Sequence, residues 1–175
     1  RQEAIEFLHQ QSCDYVVMDL GSYADPLNLN LFLQADLGIV VFTPNHTSIE
    51  RGYNFLQTAL YHSLLGGNHD GAVVSRALLT ADQVGHLHSP EALIKALTNV
   101  NEEAAQHIQK NLDHFSPKII MNQCRTRAER NLCSEVCQAL WKKWRINPTP
   151  LASIDHDELV NQSIQKRRPM VLDCP

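Results

Sequence analysis

Short apolar runs that alternate with amphipathic helix patterns constrain this chain more than any other feature. "LGIVVFTP" at 37–44 and "PKIIMNQ" at 117–123 are continuous and β-branched, the pattern of strands covered on both faces. "VVM" at 16–18 and "TPLASI" at 149–154 read as two further strands. Between them lie helical patterns. Residues 2–11 are helix-compatible, and "PLNLNLFLQAD" starts with Pro26 in its first turn. "TSIE" at 47–50 reads as a capping box opening a helix that carries Ile49, Tyr53, Leu56, Leu60 and Leu64 on one face. A helix over about 127–145 carries Leu132, Val136, Leu140 and Trp144, and Asp155 is expected to cap the helix "HDELVNQSIQKR".

Strand and helix in alternation, with short connections, require crossover units, because parallel neighbours cannot be joined by a hairpin. The expected fold class is therefore α/β, a mostly parallel sheet flanked by helices, in one domain over 1–175. The alternation breaks after "GGNHDG" at 66–71, and 72–115 read as helices only, with a serine cap in "SPEA" at 89–92. Residues 66–116 are accordingly expected to be a helical insertion.

Composition excludes several classes. The 175 residues are 43% apolar and 19% charged, ordinary for a globular domain and incompatible with disorder, collagen or fibre. A net charge of -4 leaves no global basic excess, so nucleic-acid binding would need a local patch. The tight basic cluster "QKRRP" at 165–169 reads as a solvated helix end. No run of about 18 apolar residues would span a membrane, the polar start "RQEAIEFLHQQ" lacks the apolar centre of a signal peptide, and a cytoplasmic protein is expected. Five unevenly spaced cysteines argue for reduced thiols, and Cys133 with Cys137, four apart on a helix, read as core or surface thiols rather than a metal pair. The histidines of "HLH" at 86–88, two apart, read as solvated.

In parallel sheets ligands bind beyond the carboxyl ends of the strands, where helix N-termini converge. The polar residues at those ends are Asp19, Thr43, Asn122 and Asp155. Each has a plain explanation as a strand end, turn or cap, but together they would border one site. A phosphate cradle is not in this stretch: no Gly-Lys pair occurs, nor a GxSxG, HExxH or GxGxxG pattern.

The segments "DYVVMDLGSYADPLNLNLFLQADLGIVVFTPNHTSIERGYNFL", "PKIIMNQCRT" and "LASIDHDELVNQSIQKRRPMVLD" resemble, in order and spacing, the MinD/ParA family of deviant P-loop ATPases, in particular its flagellar-number-regulator (FleN/FlhG-like) branch. The resemblance implies a partial P-loop NTPase, a three-layer αβα scaffold lacking the portion that carries the phosphate loop. It implies ATP and magnesium as cofactors. Asp19 matches the catalytic acid that holds magnesium through water, Gly21 lies in the switch loop, Asn122 matches the adenine-reading side chain, and Asp155 to Asp157 fall on the loop packing against the base. It further implies a nucleotide-switched spatial regulator, of flagella or cell division, that pairs with itself or with a protein partner. Membrane contact would run only through segments outside this sequence, and nucleic acid is not the expected partner.

Three departures stand beside it. Tyr23 occupies a switch position where the family has glycine, Asp155 replaces the proline of the closing loop, and the signature lysine is not in this sequence. The chain alone is therefore expected neither to bind ATP tightly nor to hydrolyse it, since most of the phosphate charge would go uncompensated. The alternative is a non-catalytic interaction module on the same scaffold.

Overall fold

The computed structural model describes residues 12–21, 23–65, 90–98, 102–169 and 171. Three strands, β1 (Ile39–Phe42), β2 (Lys118–Cys124) and β3 (Thr149–Asp155), form a parallel sheet in the order β1-β2-β3. Around it run helices α1 (Pro26–Gln34), α2 (His46–Leu65), α3 (Pro90–Thr98), α4 (Glu102–His114), α5 (Arg127–Trp144) and α6 (Glu158–Lys166). The fold is α/β, a parallel sheet flanked by helices, part of a three-layer arrangement.

The topology decides which face is covered. Successive parallel strands that advance in one direction through right-handed crossovers send their helices to the same side. α2 accordingly packs on β1, and α5 on β2 and β3. On that side Phe42, Ile119 and Met121 are fully buried against Leu56, Leu60 and Leu140. The alternate residues of β1, Ile39 and Val41, point the other way and are exposed, Val41 by 55%.

α4 sends Ala105, Ile108 and Leu112 into this same core, so the described part of the helical block shares the main core. α1 docks on α2 through Phe32 and Phe55, whose rings meet edge to face at 5.0 Å, and through Asn30 Oδ1 and His62 Nε2 at 2.9 Å. Tyr53 bridges inward, its ring lying between those of Phe42 at 6.4 Å and Trp144 at 5.8 Å.

Several expectations need correction. "VVM" at 16–18 is not a strand: it pairs with no described neighbour, and Val17 is 93% exposed. β-branched residues favour the extended backbone, but a ladder needs a second chain segment alongside. The helix expected to open with a Thr47–Glu50 capping box starts two residues earlier, at His46 rather than Ser48. Asn45 caps it, its Oδ1 accepting from Ser48 N at 2.8 Å, while Ser48 Oγ accepts from Thr43 N at 2.9 Å. The capping box lies instead at Thr126 and Glu129 of α5. Asp155 does not cap the last helix. Asp157 does, its Oδ1 accepting from Leu159 N at 2.9 Å.

The amphipathic faces of α2 and α5 are as their spacing predicts, with Leu56, Leu60, Leu64, Val136, Leu140 and Trp144 buried. The basic cluster is a helix end: α6 stops at Lys166, and Arg167 follows in the left-handed region at φ 53°. Residues 2–11, "GGNHDG", "HLH" and Ser89 lie outside the described residues.

Candidate functional site

The carboxyl ends of the three strands share one edge of the sheet. Pairing of Phe42 with Met121 and of Cys124 with Asp155 brings the segments following Phe42, Met121 and Ser153 side by side. Thr43 is fixed there by its neighbours: its carbonyl accepts from Asn45 N at 2.7 Å and its Oγ1 from Asn45 Nδ2 at 2.6 Å.

β2 ends irregularly. Its register against β3 shifts between Met121 and Cys124, and Gln123 adopts a left-handed backbone at φ 62°, uncommon for a residue with a side chain. Asn122 stabilises this turn by accepting from Gln123 N at 2.9 Å through Oδ1. That bond uses the amide oxygen and leaves the Nδ2 donor.

Beside it lies a cluster of charges. Arg130, one turn into α5, donates from Nε to Asp155 Oδ1 at 2.7 Å and from Nη2 to Asp155 Oδ2 at 2.8 Å. The hydrogen-bonded guanidinium holds the Asp155 carboxyl below its ordinary range, and the carboxylate raises Arg130 in turn. His156, tied by its backbone N–H to Cys124 O at 2.8 Å, has Nε2 3.3 Å from Arg125 Nη2 and 3.4 Å from Glu158 Oε2. Ser153 Oγ donates to Arg130 O at 3.3 Å. Local sequence explains the placement. Thr126 and Glu129 cap α5 immediately after β2, so the first turn of that helix must carry Arg130 to the end of β3.

Asp19 and Gly21 form a separate turn. Gly21 N donates to Asp19 Oδ1 at 3.3 Å, and Gly21 has φ 67°, a conformation glycine adopts without cost. The bonds of this region run towards α1: Asn28 Nδ2 donates to Leu20 O at 2.9 Å and to Tyr23 O at 3.1 Å, and Asp25 caps α1 by accepting from Leu27 N and Asn28 N. Tyr23 is 77% exposed.

Of the residues singled out by sequence, Asn122 and Asp155 share the strand-end edge, Asp157 begins the helix beyond it, and Asp19 with Gly21 sits in the turn before α1. Arg130, Arg125, His156 and Asn28 organise these places. Two polar asparagines in the apolar run "PLNLNLF" were the signal for Asn28, since a polar residue retained there needs a bonding reason. Nothing local signals Arg130.

Thiols form another group beneath β2. Cys124 and Cys133 are buried, their Sγ atoms 3.6 Å from Met121 O and 3.8 Å from Ile119 O. Burial and the neighbouring Cys133 push the Cys137 thiol up to about 11. Among the described residues no group of three or more His, Cys, Asp or Glu side chains is arranged to hold a metal ion, and no helix is long and apolar enough to cross a membrane.

Two hollows lie away from the strand ends, one between α3 and α4 and one between α3, α4 and the end of α5. What fold and geometry define is an α/β protein whose parallel sheet gathers polar and charged groups at its carboxyl edge. No protein-family model, curated protein or solved structure matches the chain.

Proposed function

We propose that the chain is the C-terminal portion of a MinD/ParA-like ATPase, a nucleotide-switched spatial regulator of flagella or cell division. The observation that carries this reading is the unfinished sheet. Among the described residues β1 has no neighbour on its outer edge, Ile39 and Val41 on its outer face are exposed, and the apolar run Tyr15–Met18 belongs to no helix or strand. Further strands would satisfy all three at once, since an exposed apolar run and an exposed sheet face both call for cover.

In this reading Asp19, following the apolar run and beside a glycine turn, organises hydrated magnesium, and Gly21 lets the turn approach the γ-phosphate. Asn122 offers its amide to the adenine edge. Arg130 neutralises Asp155, so the carboxylate that replaces the family's proline does not present a free negative charge to the base. Asp157 starts α6 beside it. ATP turnover would act as a timer on pairing with a second copy or another protein.

The second reading, a non-catalytic interaction module, is favoured by Tyr23 and by the two hydrogen bonds with which Arg130 engages Asp155, leaving that carboxylate fewer acceptor positions for a ligand. Calorimetry with magnesium-ATP separates the two. This chain alone should not bind ATP at micromolar concentration; supplied with a segment bearing a GKGGxGKT-like phosphate loop from its own coding sequence, it should bind and hydrolyse, and Asp19→Asn should abolish hydrolysis. No such coding segment upstream of Arg1, or turnover indifferent to Asp19→Asn, would leave the module reading standing.

A further inference from the structure

His156 Nε2 stands between a donor and an acceptor that it cannot serve together. Arg125 Nη2, in the loop between β2 and α5, lies 3.3 Å away, and Glu158 Oε2, on the first residue of α6, lies 3.4 Å away. A guanidinium only donates, so its bond needs the lone pair of an unprotonated Nε2. A carboxylate only accepts, so its bond needs a proton there. One ring nitrogen offers one or the other, and histidine is the side chain whose protons move between about pH 5 and pH 8.

The surroundings leave the choice to these two groups. The backbone N–H of His156 is anchored on Cys124 O at 2.8 Å, and the side chain is only 20% exposed, so the ring stays at the sheet edge while its partners change. The other charged groups of the adjoining elements are engaged elsewhere. Arg130 of α5 holds Asp155 of β3, Glu129 Oε2 accepts from the backbone N–H groups of Arg125 and Thr126, and Asp157 caps α6 at Leu159 N. The Cys124 thiol of β2, pushed up by burial, stays uncharged. Among the described residues no carboxylate forms an ion pair with Arg125, whereas Glu158 Oε2 also accepts from Asn161 Nδ2 at 3.3 Å.

We infer that His156 is a proton-operated selector at the carboxyl edge of the sheet: neutral, its Nε2 accepts from Arg125 and its proton sits on Nδ1; protonated, its Nε2 donates to Glu158 and Arg125 is released. Acidification thereby breaks the side-chain link between the β2–α5 loop and the β3–α6 loop, replaces it by one to the start of α6, and frees a guanidinium at the strand-end edge. Arg130 and Asp155 keep their bond through this change, because the guanidinium holds that carboxyl below its ordinary range. The inference stands on this geometry and does not depend on nucleotide binding.

The test is NMR of the isotope-labelled chain at about pH 8 and about pH 5, reading the ring nitrogens of His156 and the mobility of the Arg125 guanidinium by carbon-detected relaxation. At the higher pH the native ring should be the tautomer protonated on Nδ1, and Arg125→Gln should lose that tautomer in favour of the one protonated on Nε2, which Glu158 accepts. On acidification the Arg125 guanidinium of the native chain should become more mobile. Glu158→Gln, which removes the charge that favours the protonated ring, should move this release to lower pH. A native ring protonated on Nε2 at the higher pH, a tautomer that Arg125→Gln leaves unchanged, or an Arg125 side chain equally mobile at both pH values would overturn the inference. The native chain alone decides the first and last of these if a variant does not fold.

Discussion

Arg130 grips Asp155 with two hydrogen bonds of 2.7 and 2.8 Å, joining the first turns of α5 to the last residue of β3. The pair fixes the edge of the sheet where Asn122 and His156 also lie, and its strength depends on the carboxylate staying ionised. Asp155 is depressed in the folded chain, so its contribution is present above the ordinary carboxylate value of 3.8 and is lost as pH falls through the folded value. Thermal melts of native and Arg130→Gln chains should therefore differ at pH 7 and converge on acidification below about pH 4. A difference unchanged by acid would mean that Arg130 acts through packing instead.

Gly52 on α2 sits against the fully buried ring of Phe42, and a Cβ there would lie 2.2 Å from Phe42 Cε1 and 2.6 Å from its Cζ. Alanine ordinarily strengthens a helix by about 1 kcal/mol over glycine. Here the overpacking cost of about 1–3 kcal/mol should exceed that gain. Urea unfolding of Gly52→Ala should show a lower midpoint than native, and Phe42→Leu in the same chain should be non-additive with it. A midpoint above native would show that the ring moves aside freely.

Thr126 and Glu129 close the N-terminus of α5 reciprocally, Thr126 Oγ1 accepting from Glu129 N and Glu129 Oε2 from Thr126 N, both at 3.2 Å. Thr126→Ala should cost about 1 kcal/mol, with Thr126→Ser close to native. The Thr47→Ala change, at a position that only resembles a capping box, should cost less in the same denaturation series.

Alkylation should rank the thiols by exposure and ionisation. In a Cys174→Ser chain treated with iodoacetamide at pH 8, exposed Cys13 should label first. Cys137 should lag because its thiol lies up at about 11, and buried Cys124 and Cys133 should label only on unfolding. Peptide mapping by mass spectrometry reads the order, and a Cys137 as fast as Cys13 would contradict the packing of α5 on β2.

Much of the fold was legible because its causes are local. Leu56, Leu60 and Leu64 recur at helical spacing, as do Val136, Leu140 and Trp144, and burial follows from that spacing once any core exists. The continuous runs at Ile39–Phe42 and Lys118–Cys124 likewise marked β1 and β2. The misreadings have a common origin. "TSIE" satisfies a capping pattern, yet Asn45 lies two residues earlier and captures the helix start through Ser48. "VVM" has strand composition, yet strand formation belongs to a pair of segments and not to one.

The sequence by itself determined the alternation of strand and helix, the parallel α/β class and the apolar faces, since each depends on residues a few positions apart. Only the tertiary structure decided that Arg130 meets Asp155 across 25 positions, that Arg145 reaches Glu91 across 54, and that one face of β1 stays bare. The physical reason is that those contacts depend on strand order and crossover direction, which bring together groups whose separation in the chain carries no periodic trace.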